Sequence, residues 1–352
     1  MSATAGDGGS RSAYRAAGVD LVEAQAALRR LLPMVESTHT ERVLPRAGAF
    51  AGFFAYPAPD SDRLLVASMD GVGTKMRIAS MLGRFRGAGY DIVSHCVNDI
   101  LVHGATPLFF LDYIGTGRLA AVTVGELVDG MAGACRESGC ALLGGETAEM
   151  PGVYAPGDWD VVGTIIGEVT RDRLVDGARI VAGDRILALR SFGLHTNGYS
   201  LARRAIGLEE RPAVLHELVP EAQQTWGDLL LAPHRMYLPF IRPLLGDASL
   251  HGMIHLTGGG IPENVPRILP EGCRAVFDRS TWTVPPLFRE LQRLGAVDDE
   301  EAHRVFNMGL GYLLVVANDA ADRISAALTE LGETPLSVGW IEEGARETRW
   351  SR

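Results

Sequence analysis

The chain has 352 residues, 47% of them hydrophobic and 22% charged, an ordinary globular balance whose length predicts two domains with sizeable cores. Its net charge of -10 excludes general binding of polyanions, because nucleic-acid binders carry a basic face; a phosphate ligand has to be held locally, by glycine loops, a few basic side chains or a metal ion. No apolar run approaches the roughly 18 residues that would mark a membrane span.

Residues 1–13 read as a disordered leader: Met1 to Arg11 is small and polar with no apolar core, so it is not a secretory signal. Asp20 and Glu23 form a capping-box-like helix start, followed by Leu21, Ala24, Leu28, Leu31 and Val35 at helical spacing. Pro57 to Asp62 is a turn, and the apolar strand Leu64 to Met69 runs into Asp70-Gly71-Val72-Gly73-Thr74-Lys75 before a helical pattern resumes over Met76 to Leu82. A second helix opens at Asp91, with Ile92, Cys96 and Ile100 on one stripe and Val93, Val97 and Leu101 beside it, and ends at Gly104. Pro107 to Ile114 reads as a strand. Thr123 and Glu126 are expected to cap a third helix that stops at Gly139, followed by a short strand, Cys140 to Leu143, and a loop, Gly144-Gly145-Glu146-Thr147. Val161 to Val169 closes this half.

Arg171 to Gly183, charged and glycine-punctuated, is the expected boundary between an amino-terminal domain over 14–171 and a carboxy-terminal domain over 172–352. The second half opens with strand Arg185 to Leu189 and the loop Ser191 to Gly198, with a helical stretch from Tyr199. Glu209 to Asp228 is irregular, and His234 to Leu245 reads as helical despite Pro239 and Pro243. Strand Met253 to His255 feeds Leu256-Thr257-Gly258-Gly259-Gly260. Gly311 to Ala317 is a strand, Ala320 to Leu331 a helix and Leu336 to Ile341 a closing strand. Strands and helices alternate in both halves, so the class is α/β or mixed α+β. The four cysteines, Cys96, Cys135, Cys140 and Cys273, are scattered without a close metal-type pair, which fits reduced thiols and a cytoplasmic setting.

Three acidic residues stand at or near the ends of apolar segments: Asp70, Asp99 and Glu146. Carboxylates among small residues suit Mg²⁺, which keeps several waters and bridges to substrate phosphates. Gly71 and Gly73 let the backbone approach a ligand, and Lys75 can neutralise phosphate charge; equally, each glycine cluster is compatible with a plain turn. Asp99 sits mid-helix, where local folding does not ask for an aspartate, so ligand binding is the favoured account and a solvated helix face the alternative. Asp99→Asn is accordingly expected to leave stability unchanged. His95, Asp99 and His103 align along one helix face at i, i+4 and i+8, either as a transition-metal stripe or, the favoured reading, as a working Asp99 between ordinary surface or supporting histidines. His195 and His255 sit beside glycine-rich loops, where a general acid or base could act or a structural histidine could sit. Gly258, Gly259 and Gly260, ahead of a helical stretch around Asn264, are expected to bind a substrate phosphate through backbone N–H groups, with Gly259→Val raising the substrate KM.

Nine segments together resemble the phosphoribosylformylglycinamidine cyclo-ligase family. They are Tyr14 to Asp20, Asp70 to Lys75 (DGVGTK), Val97 to Ile100 (VNDI), Pro107 to Tyr113, Gly144 to Gly152 (GGETAEMPG), Gly193 to Leu201 (GLHTNGYSL), Leu231 to Arg235, His255 to Gly260 (HLTGGG) and Phe306 to Gly309. They occur in the family's order over essentially the whole chain. The resemblance implies a homodimer of two-domain α/β subunits whose amino-terminal sheets share a β-barrel. It also implies the reaction: ATP and formylglycinamidine ribonucleotide give aminoimidazole ribonucleotide, ADP and phosphate in purine biosynthesis. By resemblance, Asp70, Asp99 and Glu146 bind Mg²⁺, and Gly71, Gly73, Thr74, Lys75 and Asn98 line the ATP phosphates. His195, Asn197, Gly198 and Thr257 to Gly260 hold the substrate, with Asp70, Lys75, Asp99 and His195 carrying the catalytic roles. Met69 stands where the family commonly has threonine, and Thr196 where it commonly has serine.

Related enzymes share these acidic loops, among them selenophosphate synthetase, thiamine-phosphate kinase, the hydrogenase-maturation dehydratase and the preceding amidotransferase. No cysteine precedes Cys96, against the first, and Tyr14 to Asp20 with GGETAEMPG points to the cyclo-ligase. A non-catalytic nucleotide-binding scaffold is the reading from another class; all three carboxylates being present speaks against it.

Overall fold

The computed structural model describes residues 13–18, 33–44, 50–58 and 61–351. The capping box at Asp20 and Glu23, most of the helix it opens and nearly all of the expected leader lie outside the described residues.

The first half is a five-stranded sheet, β1 (Gly52–Ala55), β2 (Arg63–Gly71), β3 (Thr106–Thr116), β4 (Ala141–Glu149) and β5 (Trp159–Thr170), in the order β1-β2-β5-β3-β4. Only β3 and β4 pair in parallel. Strand β5 shows how the sequence sets the layers: Val161, Gly163, Ile165, Gly167 and Val169 are buried and the residues between them are half-buried, the period-two pattern of a sheet covered on one face. Helices α1 (Lys75–Leu82), α2 (Arg86–Leu101) and α3 (Ala121–Ser138) follow the strands. Ile92, Val93, Cys96, Val97, Ile100 and Leu101 of α2 are fully buried.

Helices α2 and α3 cross at two glycines. A Cβ on Gly89 would lie 1.9 Å from the Leu127 carbonyl oxygen, and one on Gly130 would lie 2.0 Å from that of Arg86. Helix α2 therefore starts a turn earlier than the sequence pattern suggests. The expected cap of α3 is not made by its own residues: Ala120 occupies the N-cap without a side-chain bond. Glu126 instead accepts the Phe85 N–H at 3.0 Å, at the start of α2.

The second half is a six-stranded sheet of β6 (Arg185–Arg190), β9 (Leu250–His255), β10 (Cys273–Phe277), β11 (Leu310–Val316), β12 (Leu336–Glu343) and β13 (Thr348–Trp350), in the order β13-β10-β12-β6-β11-β9. Two short strands, β7 (Leu218–Val219) and β8 (Gln224–Thr225), form a separate ribbon. Every residue of β11 is buried, as an apolar strand covered on both faces requires. Around it lie α4 (Tyr199–Ala205), α5 (Gly260–Asn264), α6 (Pro286–Gly295), α7 (Asp299–Val305) and α8 (Ala321–Glu330).

Two expectations change. Gly144 to Thr147 is not a loop but the middle of β4, where a Cβ on Gly145 would meet Asp112 Oδ1 at 2.3 Å, so glycine serves strand packing there. His234 to Leu245 is not one helix: Pro239 and Pro243 leave a single α-turn, Leu238–Ile241, and a 3-10 turn, Arg242–Leu244.

Candidate active site

The site forms where α2 meets the loops of the second half. Along β2, Leu64, Val66, Ser68 and Asp70 share the helix-covered face, so Asp70 points toward α2. Its Oδ1 accepts the Gly71 N–H at 2.7 Å, and its Oδ2 stands 2.9 Å from His95 Nε2. Asp99, one turn along α2, is 5% exposed. Its Oδ1 accepts from His255 Nδ1 at 2.8 Å, its Oδ2 accepts the Ser68 hydroxyl at 3.2 Å, and His95 Nε2 lies 3.5 Å away. Asp99 is thus required by tertiary packing although local helix formation does not ask for it, and the expectation that Asp99→Asn leaves stability untouched is corrected.

Burial opposes charge on His95, but the carboxylates of Asp70 and then Asp99 outweigh it and hold the imidazole well above its ordinary value. Burial likewise pushes both carboxyls up, and His95, helped at Asp99 by the His255 hydrogen bond and at Asp70 by the Gly71 N–H, more than offsets it, so both end below the ordinary range. His255, His195 and His234 go the other way: burial dominates and lowers all three. Those directions fit one hydrogen-bond chain. His95 Nδ1 donates to Thr196 Oγ1 (2.6 Å), and the Thr196 hydroxyl donates to His234 Nδ1 (3.4 Å). His234 Nε2 and His255 Nε2 are 3.0 Å apart, and His255 donates through Nδ1 to Asp99. Because the neutral His255 carries its N–H at Nδ1, donated to Asp99, its Nε2 accepts from His234, and each bond in the chain has one donor and one acceptor.

The histidine stripe is corrected in its third member. His103 turns away, with Nδ1 3.2 Å from the Val175 carbonyl oxygen and its ring 4.8 Å from that of Phe53. His95, Asp99 and His255 instead bring one ligand atom each within 4.8 Å of one another, as do His195, His234 and His255. His195 and His234 are stacked, with centroids 4.0 Å apart and planes 16° apart, and parallel rings aim their in-plane lone pairs poorly at one shared ion. Of the donors present, Asp70 and Asp99 fit a hard divalent cation: the positive His95 imidazole already stands in for a cation between two oxygen donors.

Glu146 does not join them. The cross-strand row Gly71–Val162–Tyr113–Glu146 places it three strands from β2, about 14 Å away. Asp70 belongs to the neighbouring row, so Glu146 projects from the opposite, uncovered face, where it is exposed. Lys75 and Asn98 are buried between the two halves. Lys75 is 1% exposed and its Nζ bonds Asp91 Oδ2 at 2.6 Å, the Ala232 carbonyl at 2.8 Å and the His195 carbonyl at 3.3 Å. Asn98 donates to the Arg235 carbonyl at 2.8 Å and accepts the Tyr237 N–H at 3.1 Å. Both tie the helices of the first half to the second.

Gly73 has φ +66 and His195 φ +63, a left-handed conformation that is rare for a residue with a side chain. Gly71 and Gly73 shape the turn after Asp70, and Thr74 Oγ1 lies 3.3 Å from Ser200 Oγ across the halves. A cleft of about 390 Å³ opens beside Gly73 and Thr74, lined also by Arg77, Tyr154, Trp159 and Arg203. Asn197 and Gly258 face each other: a Cβ on Gly258 would be 3.3 Å from Asn197 Oδ1, and Asn197 Nδ2 is buried without a partner among the described residues. Thr257 is held by Asn264, whose Oδ1 accepts its N–H at 2.7 Å. Gly198 and Gly259 take φ +80 and +94, and Gly260 approaches His303 so closely that a Cβ would lie 1.9 Å from its carbonyl oxygen. Gly259→Val would therefore strain the backbone itself, so it is not a clean probe of binding. Sequence reasoning missed Asp91, His234 and Ser68; their type carries no signal, and only the packing reveals them.

Two family models match, AIR synthase related protein, N-terminal domain, over residues 50–169, and AIR synthase related protein, C-terminal domain, over residues 181–351. The chain is 43% identical to phosphoribosylformylglycinamidine cyclo-ligase of Trichlorobacter lovleyi, covering 94% of this chain and 95% of that one. Among solved structures, hydrogenase maturation protein HypE in complex with ATP superposes with TM-score 0.61 at 19% identity, covering 92% of this chain and 91% of that one. Thiamine-monophosphate kinase from Stenotrophomonas maltophilia K279a gives TM-score 0.60 at 18% identity, with 93% and 96% covered. At those identities the structural likeness concerns the fold.

Proposed function

This chain belongs to the phosphoribosylformylglycinamidine cyclo-ligase family, and we propose from that premise how its residues serve the family's reaction. The enzyme is an ATP-dependent ring-forming ligase of purine biosynthesis: ATP activates the formyl oxygen of formylglycinamidine ribonucleotide, a substrate nitrogen attacks the activated carbon, and phosphate leaves as the imidazole closes. The substrate supplies its own nucleophile, so the protein contributes positioning and charge stabilisation.

The observation that carries the site assignment is the pair of carboxylates, Asp70 and Asp99, held around His95 beside the Gly71–Gly73 turn. Asp70 and Asp99 would hold Mg²⁺, which when bound neutralises phosphate charge. The turn and Thr74 would receive the ATP phosphates, with the adjoining cleft taking the rest of the nucleotide near Arg77 and Arg203. Lys75 and Asn98 position this region through their bonds to the second half. Asn197 Nδ2, without a partner among the described residues, supports a substrate site between the His195–Gly198 loop and Thr257–Gly260, assigning substrate to residues 172–352 and the ATP phosphates and Mg²⁺ to 14–171, with Arg203 reaching the nucleotide cleft from the second half.

We further propose a homodimer. Met69 and Leu143 are 69% and 63% exposed on a sheet whose other face carries the helices, and β4 is an edge strand. Proteins cover such faces and edges; a second copy would do so in a shared barrel, and would also meet Glu146. No helix of the described residues is long and apolar enough to cross a membrane, and we assign the enzyme to the cytoplasm on its four free thiols.

Purified protein should release phosphate from ATP only when formylglycinamidine ribonucleotide is added, and Asp70→Asn should lower turnover by about two orders of magnitude or more, equivalent to roughly 3 kcal/mol. Phosphate release independent of that substrate, or full turnover in the variant, contradicts the assignment. Light scattering that returned the 37.8 kDa monomer at micromolar concentration would refute the dimer.

A further inference from the structure

We infer that Cys135 and Cys140 form a reversible thiol–disulfide pair, a modification site separate from the histidine-lined centre. The geometry follows from how α3 stops. Gly139 takes φ +75; its N–H bonds the Arg136 carbonyl at 3.3 Å, and the Cys140 N–H bonds the Cys135 carbonyl at 3.0 Å. A 6→1 bond enclosing a 5→2 bond is a Schellman ending, which brings the side chain of the helix's last turn against that of the second residue beyond it. That contact usually joins two apolar groups. Here the two positions that meet are both cysteines. The 6→1 bond keeps the two Cα atoms within about 6 Å, inside the roughly 4.4–6.8 Å that a disulfide spans. The turn is also held from the second half, where Arg242 Nη2 donates to the Ser138 carbonyl at 2.8 Å.

The two sulfurs are unequal. Cys135 is 2% exposed, and its thiol is raised, first by the bond to Cys140 and then by burial. Cys140 is half-buried, with its Sγ 3.4 Å from Ser138 Oγ; the Cys135 contact draws its thiol down to about 7 against the opposing effect of burial. A low-lying, accessible thiolate beside a protected partner is the arrangement of an attacking and a resolving cysteine. Cys96 and Cys273 lack it: each is buried, raised, and directed at a carbonyl, Gly163 and Ile180.

The oxidant is a low-molecular-weight disulfide such as oxidised glutathione. The Cys140 thiolate attacks one of its sulfurs, forming a mixed disulfide and expelling one glutathione thiolate, which takes up a proton. Cys135 gives its proton to solvent and attacks the Cys140 sulfur, expelling the second thiolate. The protein loses two electrons and two protons, and one disulfide becomes two glutathione thiols. The bond would pin the turn between α3 and β4, the strand that carries Gly144 to Thr147.

The test equilibrates the full-length protein in glutathione buffers from reduced to oxidised, quenches with acid, denatures, and alkylates with N-ethylmaleimide. Intact mass should show four alkylated cysteines at the reduced end and two at the oxidised end. Arg136 lies between the pair, so trypsin places them on separate peptides that remain joined only through the disulfide. Cys135→Ser should stop at a mixed glutathione disulfide on Cys140, and Cys140→Ser should leave Cys135 unmodified in the folded protein. Four alkylated cysteines at every ratio, a persistent mixed disulfide in the unsubstituted chain, or a link through Cys96 or Cys273 would overturn the inference.

Discussion

Replacing Lys75 with methionine tests the buried ion pair within the first half, from which both partners also bond the second half. The side chains of Lys75 and Asp91 are 1% and 0% exposed and 2.6 Å apart. Asp91 Oδ1 also accepts the His234 N–H at 2.7 Å. In Lys75→Met that carboxylate stays desolvated without its cation, which costs about 3–5 kcal/mol, roughly two to four orders of magnitude in the unfolding constant. At about 2–4 °C per kcal/mol for a unit of this size, the melting temperature should fall by about 6–20 °C. Circular-dichroism melts with urea titrations read this directly. Exchanging both partners, Lys75→Met with Asp91→Leu, removes the stranded charge and should recover most of the loss. The cost also depends on pH. Burial raises the Asp91 carboxyl and Lys75 offsets it, so without Lys75 the group is raised further in the folded state. A raised group contributes stability at low pH that is lost as pH climbs through its folded value; the gap between parent and variant should therefore narrow on acidification from pH 8 toward 5. A single variant within about 1 kcal/mol of the parent, or a double variant as unstable as the two singles summed, would refute this account.

Asp99→Asn should lower stability by about 1.5–3 kcal/mol, because hydrogen bonds to a charged acceptor are lost, and turnover by about two orders of magnitude; an unchanged melt would contradict the bonding at Asp99. His103, which burial lowers to about 4, contributes stability above its unfolded value near 6.5 that is lost as pH falls toward 4, about 3 kcal/mol in all. In urea titrations, His103→Gln should reduce the loss between pH 7 and pH 4, and an unaltered pH profile would disprove it. Gly89→Ala should cost about 3 kcal/mol or more in denaturation, since its Cβ would sit 1.9 Å from the Leu127 carbonyl oxygen; a melt at the parent's temperature would show that α2 and α3 can separate freely. Gly258→Ala, whose φ is not strained, should raise the KM for formylglycinamidine ribonucleotide several-fold more than that for ATP, and equal changes would sink the substrate assignment.

Strands were legible in the sequence, whether alternating or wholly apolar: β2, β3, β5, β6 and β11 lie within a few residues of where alternation and apolar runs put them. Glycine was read less well, because a glycine needed for close packing looks like one needed for a turn. Gly145 lies in a strand since Asp112 occupies the space of a Cβ, and Gly89 and Gly130 mark a helix crossing. Segments β10, α6 and α7 went unread although Asp298 caps α7 by accepting the Glu301 N–H at 2.8 Å, a signal that was present. At the site, residue types pointed to Asp70 and Asp99, but their neighbours came from positions distant in sequence. His255 reaches Asp99, and His95 reaches Thr196. Periodicity describes one element's faces and cannot say which loop a face will meet.

The contacts that sequence could not supply share one direction. From α1 and α2, Lys75 reaches the Ala232 carbonyl, Asp91 receives the His234 N–H, His95 meets Thr196, Asn98 holds both Arg235 and Tyr237, and Asp99 accepts the His255 N–H. All are buried polar bonds, each expensive to leave unmade, and they run along α2 as a row of pins through the loops of the second half. Apolar surfaces slide with little penalty between neighbouring registers, whereas a row of directional bonds fits only one. The cost of that choice is the desolvation of five polar side chains; its consequence is that Asp70 and Asp99 face the Asn197 and Thr257 loops at a fixed separation. Phosphoryl transfer depends on such fixed placement of charge, since donors that need not reorganise during the reaction stabilise its transition state most.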